Sequence, residues 1–139
     1  MRETQFSILL QHEETGRIIE KIYSYADVFS GRAKEEISSL LRYIVIARRD
    51  FTGQKDYKKI EIYEGDIIQF TEVDEDSCMG AEETHIVSVE WISDISQWMC
   101  IFQSGRRIDL RCITNFRCIK ECDVIGNIYE NPELLTKEK

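Results

Sequence analysis

One stretch, Phe51–Phe70 (FTGQKDYKKIEIYEGDIIQF), constrains the fold of this chain more than any other. It offers a turn at Thr52-Gly53, a polar loop over Gln54–Lys59 and a short alternating segment around Ile60 and Ile62. A second turn at Glu64-Gly65-Asp66 then leads into the run Ile67–Val73. A tight turn feeding a strand is how small curled antiparallel sheets begin, because Gly accepts the positive φ that closes the turn. The stretch contains no nucleophile, no ligand cluster and no phosphate cradle. It speaks to fold and leaves activity open.

Further strands follow it. Thr84–Trp91 (THIVSVEW) alternates, with His85, Val87, Val89 and Trp91 on one face. Gln97–Gln103 follows the turn Ser93–Ser96, and Arg107–Cys112 follows Ser104-Gly105-Arg106, with Ile108 and Leu110 on its dry face. Asn115–Lys120 reads as a further strand, and Cys122–Tyr129 closes the sheet, with Gly126 marking a bulge or a close backbone approach. Asn131-Pro132-Glu133 carries the signature of a helix start, so one turn of helix should pin the tail through Leu134 and Leu135. Trp91 and Trp98 flank one turn and are expected to seal one end of the core. The acidic segment Asp74–Glu83 lacks EF-hand spacing and reads as a solvated hairpin loop.

Upstream, Glu3–Leu10 and Ile18–Tyr25 read as a hairpin whose polar connection holds His12, expected to be an exposed loop histidine. Asp27–Gly31 reads as punctuation. Ile37, Leu40, Leu41 and Ile44 then recur at helical spacing, which predicts an amphipathic helix from Arg32 to Tyr43 with Ser30 as N-cap. The whole is α+β and mainly β: an N-terminal hairpin and one amphipathic helix over residues 1–48, then a small bent antiparallel sheet or SH3-like partly open barrel over residues 49–139.

Composition bounds the function. A chain of 139 residues with 42% hydrophobic and 32% charged residues builds an ordinary core. No apolar run is long enough to span a bilayer, and the acidic N-terminal start does not suit a signal peptide, so cytoplasmic location is the expectation. The net charge of −8 is unevenly placed. Glu61–Ser96 carries eleven Asp or Glu and no Lys or Arg, whereas Arg106, Arg107, Arg111, Arg117 and Lys120 face Asp109 alone. Such a chain suits self-association, and its basic set is the candidate face for nucleic acid or a partner. The five cysteines (Cys78, Cys100, Cys112, Cys118, Cys122) include no CxxC pair and read as reduced, mostly buried residues. Cys118-x3-Cys122 with His85 is the nearest approach to a zinc set, and no metal or cofactor is expected.

The stretch FTGQKDYKKIEIYEGDII and the closing CDVIGNIYENPELL resemble the two signature motifs of the YopX family, and the RETQF opening with its ETGRII turn is similar to that family's start. The chain departs from the pattern at Tyr57–Ile60, where the family often has a short Asn-Gly-Lys turn, and Asp74–Cys122 matches no motif. The resemblance implies a phage- or prophage-encoded protein, a small β-rich C-terminal portion and plausible self-association. It supplies no catalytic residues.

Three functions remain. The first is a non-enzymatic accessory module that binds itself or a host or phage protein. The second is nucleic-acid binding through the basic set, or its reverse, DNA mimicry by the acidic Glu61–Ser96 surface. The third is catalysis, for which Glu64, Asp66 and His85 form the only nominable trio. The expectation is that the chain is not an enzyme.

Overall fold

The computed structural model describes residues 5–73, 80–115 and 119–135. The chain divides into two compact units, residues 1–51 and 52–139.

In the first unit, β1 (Gln5–His12) and β2 (Ile18–Ser24) form the expected hairpin, in register from Gln5 opposite Ser24 to Gln11 opposite Ile18. His12 is half-buried, with its ring edge-on to Tyr43. Its Nδ1 accepts the N–H groups of Glu14 and Thr15, each at 3.2 Å. This histidine holds the turn. β3 (Tyr43–Lys55) pairs along the other side of β1, Phe6 opposite Asp50, with a register shift between Leu9 and Leu10.

Two short helices lie between β2 and β3, where one longer helix was expected. Asp27–Gly31 is not mere punctuation, because α1 spans Tyr25–Phe29 behind a capping box in which Ser24 and Asp27 satisfy each other's backbone N–H. α2 runs only from Arg32 to Ser38 and starts after Gly31 at φ 84°, so Gly31, not Ser30, occupies the N-cap. The helix ends early because the Ser38 and Ser39 hydroxyls donate to the carbonyls of Lys34, Glu35 and Glu36, and Arg42 turns to φ 68°. Pairing with β1 takes the chain from Tyr43 onward. Ile37 and Leu40 join the core of Phe6, Ile8, Leu10, Tyr23 and Ala33, while Leu41 is left in the turn.

β3 continues through Thr52-Gly53, so this pair makes no turn. Gly53 takes φ 88° within the strand, and Thr52 Oγ1 donates to the Ile62 carbonyl at 2.8 Å, beside β4 (Glu61–Tyr63). The turn falls at Asp56 instead. Its carboxylate accepts three N–H groups, from Lys58 and Ile60 at 2.8 and 2.9 Å and from Val124 at 3.0 Å.

The second unit holds an open five-stranded antiparallel sheet in the order β8-β7-β6-β5-β9. Its strands are β5 (Asp66–Val73), β6 (Glu82–Ile92), β7 (Gln97–Phe102), β8 (Arg107–Asp109) and β9 (Ile119–Asn127). The order runs from β8 to β9 without closing, in keeping with the expected bent sheet or partly open barrel. The expected strand Arg107–Cys112 stops at Asp109, and α3 (Leu110–Asn115) follows. Asp109 Oδ1 accepts the Arg111 N–H at 2.8 Å, which opens that helix, and Leu110 and Ile113 drop into the core. That core gathers Ile62, Ile68, Phe70, Val87, Val89, Cys100, Leu110, Ile113, Ile119 and Cys122. The chain closes with a one-turn 3-10 helix, Pro132–Leu135.

The two stretches that carry the family resemblance meet. β9 pairs with β5, Asp66 opposite Asn127 and Ile67 opposite Gly126, with a bulge after Ile67. Gly65, at φ 86°, donates to the Val89 carbonyl at 2.8 Å and accepts the Ile128 N–H at 2.9 Å. A Cβ at Gly65 would stand 3.1 Å from the Tyr129 ring, and one at Gly126 only 2.5 Å from Asn131 Oδ1. Asn127 Oδ1 in turn accepts the N–H groups of Tyr129 and Glu130. These motifs fix backbone.

Candidate functional site

Three of the five residues in the basic set have local partners. Arg111 pairs with Asp109 at 3.0 Å, a contact that lowers the Asp109 carboxyl below its usual value. Lys120 pairs with Glu82 at 2.7 Å, and that hydrogen bond raises its ammonium. The Arg106 guanidinium stacks over Phe102 at 4.6 Å, and Arg107 is exposed on β8. Arg117 lies outside the described residues. The charge asymmetry written along the chain is therefore partly neutralised in space by Lys120 and Glu82.

The trio Glu64, Asp66 and His85 is not assembled. Asp66 is 4% exposed, and its Oδ2 accepts the Tyr63 N–H at 2.8 Å, which shapes the turn. His85 stands opposite Phe70, four positions further along β5, roughly 13 Å of strand away. Of the cysteines, Cys100 and Cys122 are fully buried in the core. Burial, followed by the carboxylates of Asp56 and Asp123, pushes the Cys122 thiol up to about 12, and burial pushes Cys100 up as well. Protonated thiols in an apolar core are poor metal ligands. Cys78 and Cys118 lie outside the described residues, and with Cys118 goes the test of the Cys118-x3-Cys122 set. Trp91 and Trp98 are register partners with ring centroids 5.1 Å apart, Trp98 against the core and Trp91 half-exposed.

Two further features come from the folded chain. The first is a group of three polar side chains on β5 and β6. Glu72 stands directly opposite Glu83, and His85, two residues on, shares their face. His85 Nε2 lies 3.3 Å from Glu72 Oε1 and 3.8 Å from Glu83 Oε1. Sequence reasoning singled out His85 but gave it the wrong companions, since the pairing of Glu72 with Glu83 depends on hairpin register. The spacing Glu83-x-His85 on a strand was the available signal.

The second feature is apolar. Phe29, the last residue of α1, is 87% exposed, and Leu41, in the turn after α2, is 80% exposed. Val28, Ile44 and Val45 of the same unit are about half-exposed. The helical spacing of Ile37, Leu40, Leu41 and Ile44 assigned Leu41 to a core face, and the early end of α2 releases it. Separately, a polar cavity of about 440 Å³ is lined by Gly53, Gln54, Lys55, Asp56, Tyr57, Lys59 and Thr114. Its one carboxylate, Asp56, is already occupied by backbone N–H groups.

Among the described residues no helix is long and apolar enough to cross a membrane. A family model described as YopX protein matches residues 4–136. No curated protein matches the chain. Among solved structures, one similar chain is the crystal structure of protein EF1440 from Enterococcus faecalis, at 21% identity and a TM-score of 0.35, covering 92% of this chain and 74% of that one.

Proposed function

The chain belongs to the YopX family, and from that premise we infer that it is a non-enzymatic accessory protein of phage or prophage origin that works by binding protein. The observation that carries this reading is the exposure of Phe29 and Leu41, two large apolar side chains presented on short helical and turn elements. Scattered exposed apolar residues are ordinary, but aromatic and aliphatic anchors near full exposure are what interface hot spots bury. The pairing of Arg111 with Asp109 and of Lys120 with Glu82, and the strand distance between Asp66 and His85, support this reading over nucleic-acid binding or catalysis. The occupant is a second copy of the chain or a protein of the bacterial host.

The test is the double variant Phe29→Ser, Leu41→Ser. Its circular dichroism and melting should match those of the parent, because neither side chain is buried. The parent chain should show a mass above that of a monomer in light scattering, or should retain a purified partner, and the variant should lose that property at least tenfold. Equal behaviour of the two proteins would remove the reading.

A further inference from the structure

We propose that Glu72, Glu83 and His85 form a binding site for a divalent transition-metal ion of the zinc class. The three side chains offer one imidazole nitrogen and two carboxylates, and their ligand atoms all lie within 4.8 Å of one another. An ion with bonds of roughly 2.0–2.2 Å holds its ligand atoms roughly 3–4 Å apart. The observed 3.3 Å and 3.8 Å from the His85 nitrogen to the two carboxylates already fall in that range. Three protein ligands leave a fourth position open, as in sites that bind an exchangeable water. The imidazole favours zinc-class ions over magnesium and calcium, which prefer all-oxygen shells.

The strands preorganise the set. Register places Glu72 opposite Glu83, and the two-residue period brings His85 to the same face. The imidazole sits between Phe70, at 5.1 Å, and Phe102, edge-on at 5.3 Å, and its side chain is only 17% exposed. The ring is thus held by the core, while the carboxylates reach solvent at 50% and 76% exposure. An ion could enter without opening the sheet.

A second observation is energetic. Like charges directly opposite on paired strands destabilise the pair. Glu72 and Glu83 are such a pair, and the imidazole of His85 stands beside both carboxylates. Lys120 is bonded instead to the neighbouring Glu82 at 2.7 Å. A divalent cation would convert the repulsion into coordination.

The experiment is calorimetric titration of the reduced full chain, freed of metal by chelation, with Zn²⁺, Mg²⁺ and Ca²⁺ in turn. The parent should bind one Zn²⁺ at least tenfold more tightly than either other ion. Glu72→Gln and Glu83→Gln, both at exposed side chains, should each weaken Zn²⁺ at least tenfold with circular dichroism unchanged. Glu90→Gln, an exposed carboxylate elsewhere on β6, should bind as the parent does. Substituted Co²⁺ should show a visible absorption band that His85→Gln abolishes. No Zn²⁺ binding by the parent, equal binding by all four proteins, or Mg²⁺ or Ca²⁺ binding as tight as Zn²⁺ would overturn the assignment.

Discussion

In the second unit ten buried side chains from β4, β5, β6, β7, β9 and α3 join one cluster; in the first, five join, and Phe29 and Leu41 stand almost fully in water. The polar groups differ in the same sense. The carboxylates of Asp56 and Asp66 and the amide of Asn127 are each buried and each spent on backbone N–H groups at a turn. In the first unit the ion pairs Arg32–Asp27 and Arg42–Glu14 lie at the surface, where such pairs contribute little, and one buried cation, Arg49, pairs with Glu20 at 2.7 Å. The contrast teaches a division of labour. The second unit invests buried side chains in holding one backbone path, and the first leaves Phe29 and Leu41 in water, the surface proposed above to meet another protein.

The largest expected effect sets the two units directly against each other. Phe70 is 1% exposed in the larger core, so Phe70→Ala should cost about 3–5 kcal/mol in denaturant unfolding. Phe29→Ala should change stability by less than about 0.5 kcal/mol. Similar losses for both would erase the distinction.

Next comes Asp56→Ala, which strands the N–H groups of Lys58, Ile60 and Val124 and should cost about 2–3 kcal/mol by the same measurement. A cost near zero would mean that water replaces the carboxylate and that the turn is not a keystone of the sheet.

Gly126→Ala is smaller. The new Cβ would meet Asn131 Oδ1 at 2.5 Å, and moving that side chain disturbs its bond to the Asn127 N–H, for about 1–2 kcal/mol. Combining it with Asn131→Ala should recover part of that loss, since the clash is with a side chain.

The last effect appears only as pH is raised. The folded Cys122 thiol is raised, by burial first, from 9.0 to about 12, and an unfolded thiol ionises near its ordinary value. The unfolded state therefore loses its proton first. This contribution to stability is complete below about pH 9 and is lost as pH rises toward about 12, so the melting temperature should fall across that window. Of the three cysteines among the described residues, the half-buried Cys112 should react with a thiol reagent at pH 8 ahead of the buried Cys100 and Cys122.

Much of the fold was legible because alternation and Gly turns are local signals. β1, β2, β4, β5, β6 and β7 appear within a few residues of the segments that alternation marked. The helices were less legible. Ser24-x-x-Asp27 is a capping box, but it lies in a segment too short to show helical periodicity. Leu41 continued a periodic pattern that two serines and Arg42 interrupt. At Leu110 the alternation runs straight from a strand into a helix, and only Asp109 marks the change. The candidate metal cluster was illegible for a different reason. Glu72 and Glu83 become neighbours through register, which the sequence does not specify across the acidic connection. The family motifs, conspicuous as strings, meet through β5 and β9 to fix Gly65 and Gly126, a role visible only once the first and last strands of that sheet are seen paired.

The central claim is that the proposed protein contacts lie on the first unit, at Phe29 and Leu41. Site-specific photo-crosslinking in bacterial cells tests it directly, with the reactive residue placed in turn at Phe29 and Leu41, and at Trp91 and Ile95 on the second unit. The account predicts covalent protein adducts, with another copy or a host protein, from Phe29 and Leu41 and none from Trp91 and Ile95. Adducts from Trp91 and Ile95 alone, or from no position, would contradict it.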